Sequence, residues 1–536
     1  MHLQNPIHQP PRYVLASILC SFGGFLFGMD TGIIGPVTIM PGYVSCFGSS
    51  SPTQHGLVVS SILIPAALSS FFAGRVADVL GRPRAIAIGA LVFGLGAAME
   101  AGAVRLAMFV VGRCVEGVGE GLYLGTLVVY ICEISPPKKR GPLTTGPQLG
   151  ITLGLMVGYF TCYGTAKVES SLSWRAPFIV LACLSTAFSV SSFLWLVPSP
   201  RWLILRGRQS EAAEAWDVLG VGHAEREKAE IESGAEGHGI TVSADGPATK
   251  SGFLDVFSRD VRTRTGLAVF MMGMQQLSGI DGVLYVSSPR STASGIFPDS
   301  SALCESQPMN VYALYGTLGA PNITDLFQYA PLLFRQAGLA SSEAAFLASG
   351  VSAIVIFSVT IPALFLADKW GRRHSTIYGG IGISIIMFLI GGLYAGNAVH
   401  GTFGAGRWVV IVSIYIFAVI YCTSWAVGIK IYAAEIQPQR TRASATSLAH
   451  GSNWVANFLV ALTTPILLAR SSFAAYFLFG GCALLTAIVC AAFMPETKGK
   501  SLDEIDEVFR FRSPGSRSLG RAIRKAFGRI TGAFAA

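Results

Sequence analysis

Charge is scarce in this chain. Only 13% of its 536 residues are Asp, Glu, Lys or Arg, about half the share of an average soluble domain. Cytosolic enzymes, secreted scaffolds and nucleic-acid binders are excluded on that ground. The ten cysteines are scattered through apolar sequence without metal-ligand spacing, so packing is their expected role and no metal is expected. No G-x-x-x-x-G-K-S/T loop occurs, which excludes a nucleotide-driven pump. The opening apolar stretch is followed by no A-x-A cleavage site and reads as a helix that stays, not a signal peptide. No retention signal stands before Ala536, so the plasma membrane is the expected location.

What the chain has in quantity is apolar sequence. Hydrophobic residues make up 51% of it, with a mean hydropathy of +0.54. Twelve apolar segments recur, at 14–39, 57–73, 85–104, 106–131, 146–165, 176–197, 265–285, 344–367, 376–396, 408–434, 444–469 and 474–494. Each is near the ~20 residues that cross a hydrocarbon core as a helix. With both termini cytoplasmic, seven of the 39 Lys and Arg fall outside and two, Arg113 and Lys430, fall within the membrane. The other 30 occupy tails and inner loops, as the positive-inside rule requires. The sequence predicts an all-α polytopic membrane protein of twelve helices, with the lipid bilayer as its medium and no nucleic-acid partner.

The chain also repeats. Asp78 and Arg82 after the second segment return as Asp368 and Arg372 after the eighth, 290 residues later. Glu133 and Arg140 after the fourth return as Glu435 and Arg442 after the tenth, offset by 302. Pro198 and Pro495 open the stretches after the sixth and twelfth, 297 apart. Two parallel six-helix halves follow, with a site at their interface. The expected organisation is a leader at 1–13, one half at 14–197, a polar central loop with short helices at 198–264, a second half at 265–494 and a tail at 495–536.

Specific motifs add an identity to this pattern. The first segment carries Phe27-Gly28-Met29-Asp30-Thr31-Gly32-Ile33-Ile34-Gly35, and Gly74-Arg75-Val76-Ala77-Asp78-Val79-Leu80-Gly81-Arg82 follows the second. Gly112-Arg113, Gly117 and Gly119 lie in the fourth, Gln275-Gln276-Leu277-Ser278-Gly279 in the seventh, and Asn453-Trp454 with Asn457 in the eleventh. Pro495-Glu496-Thr497-Lys498-Gly499 ends the twelfth. The chain resembles the sugar porter family of the major facilitator superfamily over nearly its whole length. The resemblance implies the major facilitator fold, alternating access, a central solute site and a proton gradient in place of any cofactor. It also implies that Asp30 takes up the proton and Arg113 modulates it; a static ion pair is the alternative. A monomer suffices for this function.

Further residues extend that site. Gly24, Gly28 and Gly32 share a helix face suited to close backbone approach, with Asp30 roughly opposite. Glu116 and Glu120 share a face with Arg113, and can pair with it locally, carry further protons or meet a cationic solute group. Gln148, Gln275, Gln276 and Asn453 offer amides to hydroxyls. Two positions depart from the family: Asp281 replaces the sugar-binding Asn, and Lys430 occupies the slot of a cavity Trp five residues before Glu435. They pair with each other or favour an acidic or zwitterionic solute. Asp78, Arg82, Glu133, Arg140, Asp368, Arg372, Glu435 and Arg442 are expected to latch the inner gate through interhelix pairs.

Residues 286–328 interrupt the seventh segment. Joining Tyr285 to Tyr329 restores the family's paired Tyr followed by Ala330-Pro331. A retained intron explains this, and an extracellular insertion with a glycosylation sequon at Asn322 is the alternative. The function expected is secondary active transport of a sugar, polyol or related organic acid. A carrier of a fungal secondary metabolite or its precursor, and a non-transporting nutrient sensor, are the competing readings.

Overall fold

The computed structural model describes residues 10–38, 40–48, 58, 60–222, 253–258, 261–278, 353–363, 370–399, 405–438, 441–471, 473–498, 504, 505 and 509. The chain is helical, with no strand among these residues. The first half contributes α1 (Arg12–Thr38), the short α2 (Pro41–Phe47), α3 (Leu63–Leu80), α4 (Arg82–Ala101), α5 (Leu106–Ile134), α6 (Pro137–Thr165) and α7 (Leu172–Trp195). Two short helices follow, α8 (Pro200–Leu205) and α9 (Gln209–Leu219). The second half contributes α10 (Arg262–Gln276), α11 (Ala353–Ala363), α12 (Arg372–Ala395), α13 (Gly406–Thr423), α14 (Trp425–Glu435), α15 (Arg442–Arg470) and α16 (Ala474–Phe493).

Helix is what a membrane demands of such sequence, because it satisfies every backbone group within the segment. Among the described residues eight helices are long and apolar enough to cross, with α13 and α14 taken together as one span. Large apolar side chains such as Phe72, Phe193, Leu194, Tyr378 and Ile385 face outward, where lipid replaces water. The long α6 and α15 fall outside that group, because they carry the amides and hydroxyls of the interface between halves.

Several helices overrun their apolar segments. α6 begins at Pro137, nine residues before the apolar run at 146, and α3 continues to Leu80. Hydropathy marks the bilayer, whereas the helix ends where the backbone is forced to turn. Gly81 does this after α3 with φ 87°, and Gly371 does it before α12 with φ 78°. Both values belong to glycine, and the two positions are equivalent in the sequence repeat. The tenth segment differs from the single helix expected for 408–434. It breaks at Ser424, whose φ of −119° and ψ of −69° leave helical values, while its hydroxyl bonds Ile420 O at 2.5 Å.

Each half has its own core. Cys20, Leu26, Phe93, Tyr123, Trp174 and Phe178 belong to the first, and Met271, Ile383, Trp425, Tyr476 and Phe479 to the second. Trp454 of α15 reaches across, edge-on to Phe27 with ring centroids 5.8 Å apart. The halves also meet where a Cβ on Gly74 would stand 2.6 Å from Ala443, and where Val128 and Cys132 pack on Ala434. These last contacts lie at the end bearing the basic loops.

Candidate functional site

The site begins with a seam of glycines. Gly24, Gly28 and Gly32 of α1 rest on the carbonyls of Pro147, Ile151 and Leu155, and Gly150, Gly154 and Gly158 of α6 rest on those of Ser21, Phe25 and Met29. The backbones are in contact, as small-residue stripes allow. With that face occupied, Asp30 turns to α5. Arg113 Nη1 donates to Asp30 Oδ1 at 2.5 Å and to Glu116 Oε2 at 3.2 Å, all three side chains being 2% exposed or less.

A fourth carboxylate, absent from the sequence reading, joins them. Glu100 on α4 lies over Gly112, where a Cβ would stand 2.8 Å from Glu100 Cγ. Its carboxylate comes within 4.8 Å of those of Asp30 and Glu116, and it interacts with Glu116 carboxyl to carboxyl, an arrangement that needs a shared proton. The cation at hydrogen-bond distance from Asp30 and Glu116 is the Arg113 guanidinium. Glu120, one turn beyond Glu116, is fully buried, and its oxygens lack a donor among the described residues. It lies within electrostatic reach of Asp30, Arg113 and Lys430.

The interface between halves collects the remaining polar groups. Lys430 Nζ on α14 donates to Gln148 Oε1 on α6 at 2.9 Å, a contact spanning 282 residues of chain. Gln275 donates to Trp425 O at 2.8 Å, beside the break at Ser424, and accepts from Asn453 Nδ2 at 3.3 Å. Asn453 Nδ2 also bonds Met272 O at 2.8 Å. Gln276 is buried at the end of α10. Trp425 is a packing residue, fully buried with its indole donating to Thr376 O. His450, a second residue missing from the sequence reading, is buried against Gly125 of the opposite half, its ring carbon 3.2 Å from a Cβ placed there. Asp281 and Asp368 lie outside the described residues, as do 286–328.

The family model described as "Sugar (and other) transporter" matches residues 16–299 and 320–509. This chain belongs to that family. The residues it passes over, 300–319, fall inside the stretch 286–328. Members of similar sequence include a high-affinity glucose transporter of Kluyveromyces lactis, 27% identical, with 94% of this chain and 86% of the other covered. Another is sugar transport protein MST7 of Oryza sativa subsp. japonica, 26% identical, with 96% and 95% covered. Among solved structures, the proton:xylose symporter XylE bound to 6-bromo-6-deoxy-D-glucose superposes with a TM-score of 0.74 at 23% identity, covering 93% of this chain and 99% of the other. The fold is the twelve-helix major facilitator fold, and the molecule is a multi-pass membrane transporter, not an enzyme.

In this family member the repeated charges become repeated contacts. Arg82 bonds Glu133 Oε1 at 3.0 Å and Asp78 Oδ1 at 2.9 Å in the first half. Arg372 bonds Glu435 Oε1 at 3.4 Å in the second, and Thr497 completes Glu435 at 2.9 Å. Glu496 caps α12 by accepting from the N–H groups of Arg372 and Arg373 at 2.9 and 3.1 Å, an anion at a helix N-terminus. Arg442 donates to Gln437 O at 3.0 Å. Arg140, Glu435, Arg442 and Glu133 all act electrostatically on Cys132, which packs where the halves meet. The pairs named here join helices of one half, so each braces a half. The packing of Val128 and Cys132 on Ala434 joins the two.

Proposed function

We propose that this chain is a secondary active transporter working by alternating access, with a proton taken up at Asp30 and Arg113 driving a small polyhydroxy solute of the sugar class. The observation that supports it is the buried Asp30–Arg113 pair, set inside one half and one helix away from the polar interface. A charge at membrane depth is costly and is kept for function. Four carboxylates surround a single guanidinium here, and a buried surplus of negative charge is tolerated only when protons neutralise it. Protonation of Asp30 weakens its hold on Arg113 Nη1, which Glu116 shares and retains. That exchange alters how α1 and α5 meet, and α5 also carries Gly125, which packs on His450 of the opposite half.

The amides Gln148, Gln275, Gln276 and Asn453 supply hydroxyl recognition at the interface. Names of relatives agree with a sugar-class solute, since they are glucose and sugar transport proteins. The protein acts as a monomer in the plasma membrane. Uptake of labelled hexoses, polyols and sugar acids in a transporter-deficient yeast tests all this, with and without a protonophore. Accumulation that survives collapse of the proton gradient would refute the coupling, and uptake equal to empty vector for every solute would refute transport.

A further inference from the structure

We propose that the solute is a sugar acid, a polyhydroxy monocarboxylate whose carboxylate docks on Lys430 and whose hydroxyls meet Gln148. This rests on the transport reading above and adds the chemical class to it.

Lys430 lies one and a half turns past the break at Ser424, on the helix that faces α6 of the other half. Its side chain is half-buried and therefore reachable from the interface. An ammonium has three donors, and only Gln148 Oε1, a neutral acceptor, receives one. No carboxylate stands within ion-pair distance of Lys430 among the described residues. A half-buried cation with a single neutral partner calls for an anion.

Among the described residues the protein's own acids do not provide it; Asp281, the alternative partner named by the sequence, lies outside them. Glu120 feels the Lys430 charge but makes no ion pair with it, and it is fully enclosed. Asp30, Glu100 and Glu116 are sealed off beside Arg113, each 2% exposed or less. His450 lies within the field of Lys430 and is itself buried. Among these ionisable groups of the interface, the one a solute can touch is therefore the cation. That favours an anion over a zwitterion, whose positive group would meet no accessible carboxylate among the described residues. A flat apolar ring would suit a neutral pyranose face; a strongly hydrated ammonium does not. Gln148, part-buried and using only its Oε1 toward Lys430, leaves its amide N–H groups for hydroxyls.

The test is uptake of labelled D-galacturonate, D-gluconate, D-glucose and D-galactose by the full-length protein in a transporter-deficient yeast, with surface amount read from a fluorescent tag. Wild type should take up a sugar acid with a KM about ten-fold or more below that of either hexose. Lys430→Gln should lower the ratio of acid to neutral uptake about ten-fold or more, and Lys430→Arg should restore much of it, because the charge is what matters. Thermal unfolding of the purified protein supplies a second readout. Galacturonate or gluconate should raise the melting temperature of wild type and leave that of Lys430→Gln unmoved. Hexose uptake with no acid uptake overturns the acid class and leaves transport standing. An unchanged ratio in Lys430→Gln overturns the role of Lys430, and no uptake of any of the four overturns both.

Discussion

Asp30→Asn tests the coupling site with least damage to the fold, and the geometry says why. Arg113 has two carboxylate partners, Asp30 at 2.5 Å and Glu116 at 3.2 Å. At an effective dielectric of ~20 these correspond to gross attractions of about 7 and about 5 kcal/mol. Removing the Asp30 charge leaves the guanidinium with Glu116, so the expected net loss is smaller than that of an orphaned buried charge. An orphaned buried charge costs about 3–5 kcal/mol, and that is the expectation for Asp30→Asn combined with Glu116→Gln. The asparagine keeps the shape and a hydrogen-bond acceptor but cannot cycle a proton. Asp30→Asn should therefore be displayed at the surface, exchange solute across vesicles, and fail to concentrate it. Thermal unfolding of the purified protein ranks wild type, the two singles and the double, while vesicle assays with an imposed pH gradient read concentration and exchange separately. Concentrative uptake by Asp30→Asn would refute the coupling role. A single mutant as unstable as the double would refute the shared-partner geometry.

Three further outcomes follow from contacts described above. Gly28→Ala places a methyl against Ile151 O in the α1–α6 seam and should destabilise by about 1–3 kcal/mol, read as a lower melting temperature; an unchanged value would mean the helices are not in backbone contact. Glu100→Gln gives its enclosed acceptor neighbours an N–H donor and should be at least as stable as wild type, whereas a loss beyond about 1 kcal/mol would count against the crowding of carboxylates around Arg113. Arg372→Ala removes the brace on Glu435, which keeps only Thr497 among the partners described here; the maximal rate should fall several-fold with little change in KM, and a pure KM effect would remove Arg372 from the gate.

Much of the fold was legible because a membrane imposes a coarse code. Apolar length, the inner bias of Lys and Arg, and the repeat of Asp78 and Arg82 as Asp368 and Arg372 required no knowledge of packing. The pairing of Asp30 with Arg113 was legible too, since two opposite charges at membrane depth have few other partners. Glu100 was not. It sits near the end of an apolar segment, and what brings it to the cluster is the bare surface of Gly112 on the next helix. An acid inside an otherwise apolar run was the signal available. The break at Ser424 has neither Pro nor Gly to announce it, and depends on a side chain bonding its own helix. The partner of Lys430 required the register between halves, which sets Gln148 opposite it across 282 residues. His450 stands three residues before Asn453, one turn along the same helix, so the spacing of Asn453 and Asn457 pointed to its face without naming it.

The distribution of these contacts bears on how the halves move. Asp30 with Arg113, Arg82 with Glu133 and Arg372 with Glu435 each join helices of one half. Breaking such a buried pair costs about 3–5 kcal/mol, so each half resists deformation. Between halves stand Gly74 on Ala443, Phe27 on Trp454, Val128 and Cys132 on Ala434, and the hydrogen bond of the Lys430 ammonium to the neutral Gln148. Separating those surfaces exposes apolar area to lipid or to the solute path and gives up that bond, at about 1.5–3 kcal/mol for one with a charged donor. Stiff halves joined by soft contacts favour rocking over internal rearrangement. On the function proposed above, a solute bound between Lys430 and Gln148 would act at the contacts between halves, and a proton at Asp30 on the stiff half that must tilt.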